Sequence, residues 1–174
     1  LVAYFPFDGN ASDMSGNGNN GTVYGATLSP DRNGNTNRAY EFDGIDDYIK
    51  VGGPSSLTNG ENQTISAWVK GIGDGPIYWN DDTQAGGDMK LIVLDDQIVR
   101  FSVHSHSYRN SSFKIFSETA LNSSSWSQIV TTIENGVDYK LYVNGQLSAI
   151  ATDSDTLKHD NRTDISIGAA THGN

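Results

Sequence analysis

No stretch of this 174-residue chain holds apolar residues at a 3.6-residue spacing for more than a few positions, whereas alternation at period two keeps returning. Ile65, Ala67 and Val69 alternate with Ser66, Trp68 and Lys70. Val99, Phe101 and Val103 alternate with Arg100, Ser102 and His104. Period two marks a strand, because successive side chains leave its backbone on opposite sides. Strands are expected at 1–7, 22–24, 39–43, 48–51, 65–70, 76–79, 89–94, 98–106, 113–117, 126–133, 139–143 and 165–168. The segment 11–21 is nearly all Gly, Asn, Ser and Asp and is expected to be a loop. Asn144-Gly145, set between Leu141-Tyr142-Val143 and Gln146-Leu147-Ser148, is the strongest hairpin signal, since both turn positions need φ > 0. Leu121–Trp126 has room for one helical turn. About a dozen short strands joined by polar turns predict an antiparallel β-sandwich rather than a parallel sheet. Neither an internal repeat nor a boundary divides the chain, so residues 1–174 are expected to form one domain.

Composition removes several functions. Eleven Lys and Arg stand against 21 Asp and Glu, a formal charge of −10. A nucleic-acid binder needs a basic face, and so does a protein that docks on anionic lipid. No apolar run approaches the roughly 20 residues of a membrane helix. With no cysteine, disulfides and thiolate metal sites are impossible. The chain begins at Leu1 with no signal-like apolar region, as expected of a processed or excised piece. Of the 21 acids, 17 are Asp; with few Lys and no Cys, this suits an extracellular bacterial protein. Six Asn-x-Ser/Thr sequons, at Asn10, Asn20, Asn62, Asn110, Asn122 and Asn161, are about twice the number that chance gives in a chain this rich in these residues, and they carry no argument for glycosylation.

Four local patterns carry a resemblance. They are Tyr4-Phe5-Pro6-Phe7-Asp8-Gly9-Asn10 with Asp13 to Thr22; Ala39-Tyr40-Glu41-Phe42-Asp43-Gly44-Ile45-Asp46-Asp47-Tyr48-Ile49; Thr64-Ile65-Ser66-Ala67-Trp68-Val69-Lys70; and Trp126-Ser127-Gln128-Ile129-Val130 followed by Lys140 to Gly145. Together, in this order and over nearly the whole chain, they resemble a laminin-G-like module of the concanavalin A-like lectin/glucanase superfamily. The resemblance implies an antiparallel sandwich of jelly-roll type. It also implies a final strand beyond Ile165-Ser166-Ile167-Gly168 that pairs beside the first. The chain stops at Asn174, so this closing C-terminal strand is expected to be missing, or supplied by a flanking domain or partner strand. Leu1–Phe7 would then be an exposed apolar edge.

The superfamily holds lectins, adhesion modules and glucanases, so function has to be read from residues. Glycoside hydrolysis needs two carboxylates across the bond. The superfamily's glucanases carry Glu-x-Asp-x-Glu on one strand, and none of Glu41, Glu61, Glu118 and Glu134 lies in such a pattern. No catalytic residue is expected. For calcium, which takes 6 to 8 oxygens, three segments offer donors. Asp13-x-Ser15-x-Asn17-Gly18-Asn19 has alternate oxygens but one carboxylate, and an Asx-rich turn explains it as well. Asp43-Gly44-Ile45-Asp46-Asp47 is a tight turn or an alternative Ca²⁺ site built on Asp43 and Asp46. The loop Asn80–Asp88 is similar in its setting to the calcium-bearing loop of pentraxins, with Asp81, Asp82 and Asp88 as ligands. His104 and His106 share a strand face, which suits either a transition metal or a polar sugar contact.

Sugar recognition combines rings that stack on a pyranose with planar polar groups for its hydroxyls. Tyr78, Trp79, Tyr108, Arg109 and His106 are the candidates, and Trp68 and Trp126 are expected in the core. The fold implied by the resemblance brings the Asn80–Asp88 loop, the His104–Arg109 segment and the Thr171–Asn174 turn to one rim. The expected glycan site is therefore Tyr78, Trp79, Asp81, Asp82, His104, His106, Tyr108, Arg109 and His172. The expectation is an extracellular, non-catalytic carbohydrate-binding module of a larger adhesin, pilus or polysaccharide-degrading protein. A protein-binding adhesion module and a structural spacer are the rivals.

Overall fold

The computed structural model describes residues 1–52, 62–71, 75–81, 88–104, 112–134, 137–152 and 164–168. Among them are thirteen strands, numbered in chain order, and no helix. No helix among the described residues is therefore long and apolar enough to cross a membrane. The larger sheet has the order β1 (Gly21–Tyr24), β4 (Tyr48–Gly52), β13 (Asp164–Ile167), β6 (Gly75–Asp81), β7 (Asp88–Val93), β8 (Val99–His104) and β9 (Ser112–Phe116). The smaller has the order β12 (Gln146–Thr152), β11 (Asp138–Val143), β10 (Ser127–Glu134) and β5 (Gln63–Val69). A third pair joins β2 (Thr27–Ser29) to β3 (Ala39–Glu41). Every pairing is antiparallel, as short alternating strands with tight turns predict.

The alternation decides which residues meet between the two large sheets. Leu91, Phe101 and Ile115 are cross-strand neighbours and all are buried. Met89 and Val103 pair one step along. Facing them are Ile129, Ile133, Leu141 and Tyr139 from the smaller sheet. The Tyr139 ring lies 4.4 Å from that of Phe113 and 6.4 Å from that of Phe101. At the tip of the β11–β12 hairpin, Asn144 (φ 51°) and Gly145 (φ 78°) take the left-handed conformations expected of them. Asn144 also fastens the tip to the start of β10: its N–H donates to Gln128 O (2.8 Å), and its Oδ1 accepts from Gln128 N–H (2.9 Å).

Four expectations change. Residues 1–7 form no strand; Phe7 has φ 56°. The loop behind holds them through one backbone bond, Met14 N–H to Tyr4 O (2.8 Å), and several side chains. Asn17 and Asn19 donate through Nδ2 to Val2 O (3.0 and 2.9 Å), Ser15 Oγ donates to the same oxygen (3.1 Å), and Tyr4 N–H donates to Asp13 Oδ1 (2.9 Å). Trp68 is not in the core. It pairs with Gln128 on the outward face of the smaller sheet, is 43% exposed, and carries the Arg32 guanidinium 4.2 Å above its ring. Trp126 is half-buried rather than fully enclosed. Leu121–Trp126 makes a turn held by Ser125 N–H to Asn122 O (3.2 Å), not a helical turn.

Candidate functional site

Register builds a face that no single segment reveals. Thr22, Lys50, Ser166, Trp79, Lys90, Ser102 and Lys114 are successive Cα partners, one from each strand of the larger sheet. The residues on either side of this row, such as Ile49 and Val51, Leu91 and Met89, or Phe101 and Val103, point into the core. The row therefore points outward. It is a polar row in a protein whose opposite sheet face is apolar.

Within it, Ser166 and Ser102 are each only 1% exposed, sunk between larger neighbours. Ser166 Oγ and the indole Nε1–H of Trp79 are buried without a hydrogen-bond partner, and so is Nε–H of Arg100, two residues further along β8 on the same face. A buried polar group left unpaired costs about 1–3 kcal/mol. The Lys90 ammonium lies 3.7 Å from the centre of the Trp79 ring. Toward one corner of the face, Tyr24 and Tyr48 stack at 4.6 Å as a cross-strand pair, with Tyr24 44% exposed. Toward the loops, the next step of the ladder makes Asp81 the Cα partner of both Asp164 and Asp88.

The sequence-predicted residues divide accordingly. Trp79 is on the outward face. Tyr78 is one step out of phase, half-buried and packed against the core. That position takes it away from a sugar-stacking role. Asp81, Asp88 and His104 end their strands on the side where the predicted rim would lie. Asp82, His106, Tyr108, Arg109 and His172 fall outside the described residues. Lys50, Lys90, Ser166, Tyr24 and Tyr48 escaped sequence reasoning. Ile49-Lys50-Val51 and Ile165-Ser166-Ile167 carried the signal for two of them, a polar residue held outward between two core residues.

The acidic turns are built differently. Asp13 is buried, and its carboxylate accepts four hydrogen bonds: N–H of Tyr4 and Ser15 at Oδ1, and N–H of Asn19 and the Ser15 hydroxyl at Oδ2, all at 2.8–2.9 Å. Burial pushes its pKa up, but the donors from Ser15, Tyr4 and Asn19 outweigh burial and hold it at about 2. This is the self-bonded turn, with no oxygen of that carboxylate left over for an ion. Asp43, Asp46 and Asp47 bring one carboxylate oxygen each within 4.8 Å of one another. The N–H of Ile45 (2.8 Å) does most to hold Asp43 below the usual carboxylate range, against burial, and the N–H groups of Asp46 and Asp47 add to it. Asp47 Oδ2 in turn accepts from Asp43 N–H (3.0 Å). The cluster fits a hard cation in donor type. Three carboxylates supply only part of the 6 to 8 oxygens Ca²⁺ takes, and water and carbonyls would have to complete the shell.

A laminin-G pattern of the concanavalin A-like lectin/glucanases superfamily matches residues 43–174. The chain belongs to that superfamily. Solved structures agree on the fold. Domain 4 of AbnA, an extracellular arabinanase from Geobacillus stearothermophilus in complex with arabinotriose, superposes with a TM-score of 0.77 at 17% identity, covering 97% of this chain and 83% of that one. The binding domain of Paraclostridial Mosquitocidal Protein 1 gives 0.71 at 18% identity, over 91% of this chain and 42% of that one. Domains LG4-5 of the mouse laminin alpha1 chain give 0.59 at 13% identity, over 73% and 33%. No curated protein matches the sequence. At these identities the likeness is one of fold, and the chemistry of this chain has to be read from its own residues.

Proposed function

We propose that this chain is a non-catalytic carbohydrate-binding module acting outside the cell, as one domain of a larger surface or polysaccharide-degrading protein. The observation that carries this reading is the outward row of the larger sheet. It sets polar side chains and the Trp79 indole in one row on a rigid sheet face. A sugar is a ligand made of hydroxyls on a ring and supplies both acceptors and donors. The AbnA domain of the same fold is solved with arabinotriose, which makes arabino-oligosaccharides the first neutral probe. The sequence-predicted residues Asp81, Asp82, His104, His106, Tyr108, Arg109 and His172 belong to the same proposal.

Calcium is the second element of the reading. Its place is the Asp43, Asp46 and Asp47 cluster, with Asp81, Asp82 and Asp88 as the other set of carboxylates.

A glycan array probed with and without Ca²⁺ tests the whole. Defined glycans should bind, and Trp79→Ala should weaken that binding roughly tenfold, the loss of one good contact. An array silent under both conditions overturns the reading. The protein-binding rival has its own observation, the exposed apolar residues Phe116, Leu147 and Ile150 around an open groove of about 360 Å³. Capture of a protein by a surface that ignores every glycan would favour it.

A further inference from the structure

We propose that the groove between the end strands of the two large sheets takes an extended polypeptide segment, apolar and basic, that adds to β12 as a further strand. This does not rest on the carbohydrate reading. The groove, about 360 Å³, is lined by Phe116, Glu118, Leu147, Ser148, Ala149 and Ile150. β9 ends the larger sheet and β12 ends the smaller. The two come together where Glu118, just past β9, donates its N–H to Ser148 Oγ (2.9 Å). That bond uses the main chain of Glu118, whose side chain stays exposed.

An end strand turns half of its N–H and C=O groups away from its one neighbour. Among the described residues, no main-chain bond outside the ladders reaches residues 149–152. Such a row is usually blunted by a charge, a proline or a bulge. β12 is bulged where its pairing shifts between Leu141 and Tyr142. Past that point the strand holds neither a charge nor a proline. Ala149 and Ala151 pack inward against the core, which turns Ile150 outward at 60% exposed. Leu147 at 52% and Phe116 at 46% complete the apolar wall.

The occupant follows from the row, the area and the charge. A row of main-chain donors and acceptors is matched as a row by another extended main chain. Area and charge argue against a second copy. Phe116, Leu147 and Ile150 offer on the order of 300 Å² of apolar surface, whereas a stable pair of proteins buries about 800 Å² on each partner. Two copies would also each carry −10 and repel. Glu118 is the one ionisable group among the described lining residues. The segment therefore brings a Lys or Arg to Glu118 and sets apolar side chains, at every second position, against Phe116, Leu147 and Ile150.

The test is selection of a phage-displayed library of random peptides of about 12 residues on the immobilised chain. Enriched sequences should alternate apolar residues and carry Lys or Arg. The strongest of them, synthesised, should bind roughly tenfold more weakly to Ile150→Thr and to Leu147→Thr, with the melting temperature of both variants unchanged. Glu118→Gln should weaken it and flatten its salt dependence. A proline at the centre of the peptide should abolish binding, since it removes a ladder donor. Binding should slow hydrogen exchange in β12, which adsorption through side chains would not do. A library that enriches nothing overturns the proposal. So does a peptide that binds both variants as tightly as the parent, or one that leaves exchange in β12 unchanged. Sedimentation showing a dimer that Ile150→Thr dissolves would assign the groove to a second copy and overturn it as well.

Discussion

The Asp13 carboxylate shows how one side chain can fix a stretch of backbone that forms no strand. It ties residue 4 to residues 15 and 19 through four donors. Asp13→Ala should lower stability by about 1–3 kcal/mol, because buried N–H groups lose their acceptor. The effect has a pH signature. The folded pKa is about 2 against an ordinary 3.8, so the carboxylate favours the folded state above pH 3.8 and loses that advantage as pH falls toward 2. The stability gap between the wild type and Asp13→Asn, measured by urea denaturation, should narrow across that window; a gap constant from pH 6 to pH 2 would show that the charge is irrelevant. Asn80 is the opposite case. It opens a polar stretch in the sequence, yet it is 0% exposed in the inward row between Ile165 and Met89, both ends of its amide unpaired. Asn80→Leu should raise the urea midpoint, by removing a desolvated amide without losing a bond. For Trp68, exposure and the Arg32 contact set a modest scale of about 0.5–1 kcal/mol for the cation–π pair. Trp68→Ala should therefore cost well under the roughly 3–5 kcal/mol of a buried Trp, and a loss in that upper range would put the ring back in the core.

At the level of elements, strands were legible wherever two or three core residues alternated over five or more positions. β8 and β10 follow from Val99-x-Phe101-x-Val103 and Ile129-x-Thr131-x-Ile133. β2 was not legible, since Thr27–Ser29 is too short to show a period and has only Leu28 as an apolar residue. Residues 1–7 failed for a different reason. Their apolar pattern is strand-like, but side chains of Ser15, Asn17 and Asn19 capture the carbonyls of Leu1 and Val2. The β11–β12 hairpin was read correctly because its turn chemistry is local. Gly145 at φ 78° tolerates no Cβ without strain, so Gly145→Ala should cost about 1–2 kcal/mol. Asn144→Ala should cost a similar amount by freeing the tip from Gln128. Thermal unfolding of the two variants checks both. An unchanged melting temperature in each would mean the tip is not fastened.

For the whole molecule, acidity is the governing property, and calcium is where it can be tested without knowing the ligand. A cation that binds the folded state alone stabilises it by RT ln(1 + [L]/Kd), about 2.7 kcal/mol at a hundred times Kd. Millimolar Ca²⁺ should raise the melting temperature relative to a chelator-treated sample, and Asp46→Asn should remove the difference by taking a charge from the Asp43, Asp46 and Asp47 cluster. Identical thermal curves together with a metal-free elemental analysis would exclude the ion. The closely packed surroundings of this cluster matter here. Gly168, at φ 103°, lies against the Phe42 ring with the Asp47 carbonyl near by, and Gly25 lies against the Asp47 carboxylate. The turn is therefore held in place by β1, β4 and β13 together, a fixed frame for whatever its carboxylates hold.

The sequence by itself determined the local facts: the period-two strands, the φ > 0 hairpin, the polar loops, the absence of thiol chemistry and the acidic balance. Each depends on residues a few positions apart. The number of short strands and turns pointed to the sandwich, and the four family patterns added its jelly-roll type. Tertiary structure alone decided which outward residues become neighbours. Lys50, Ser166, Trp79 and Lys90 come from four strands, and Ser166 reaches Lys50 and Trp79 only because β13 inserts between β4 and β6. Alternation states that a side chain points outward, but register, which a one-residue slip would reverse, states what it stands beside. A binding face made across strands is therefore written in the pairing of distant segments.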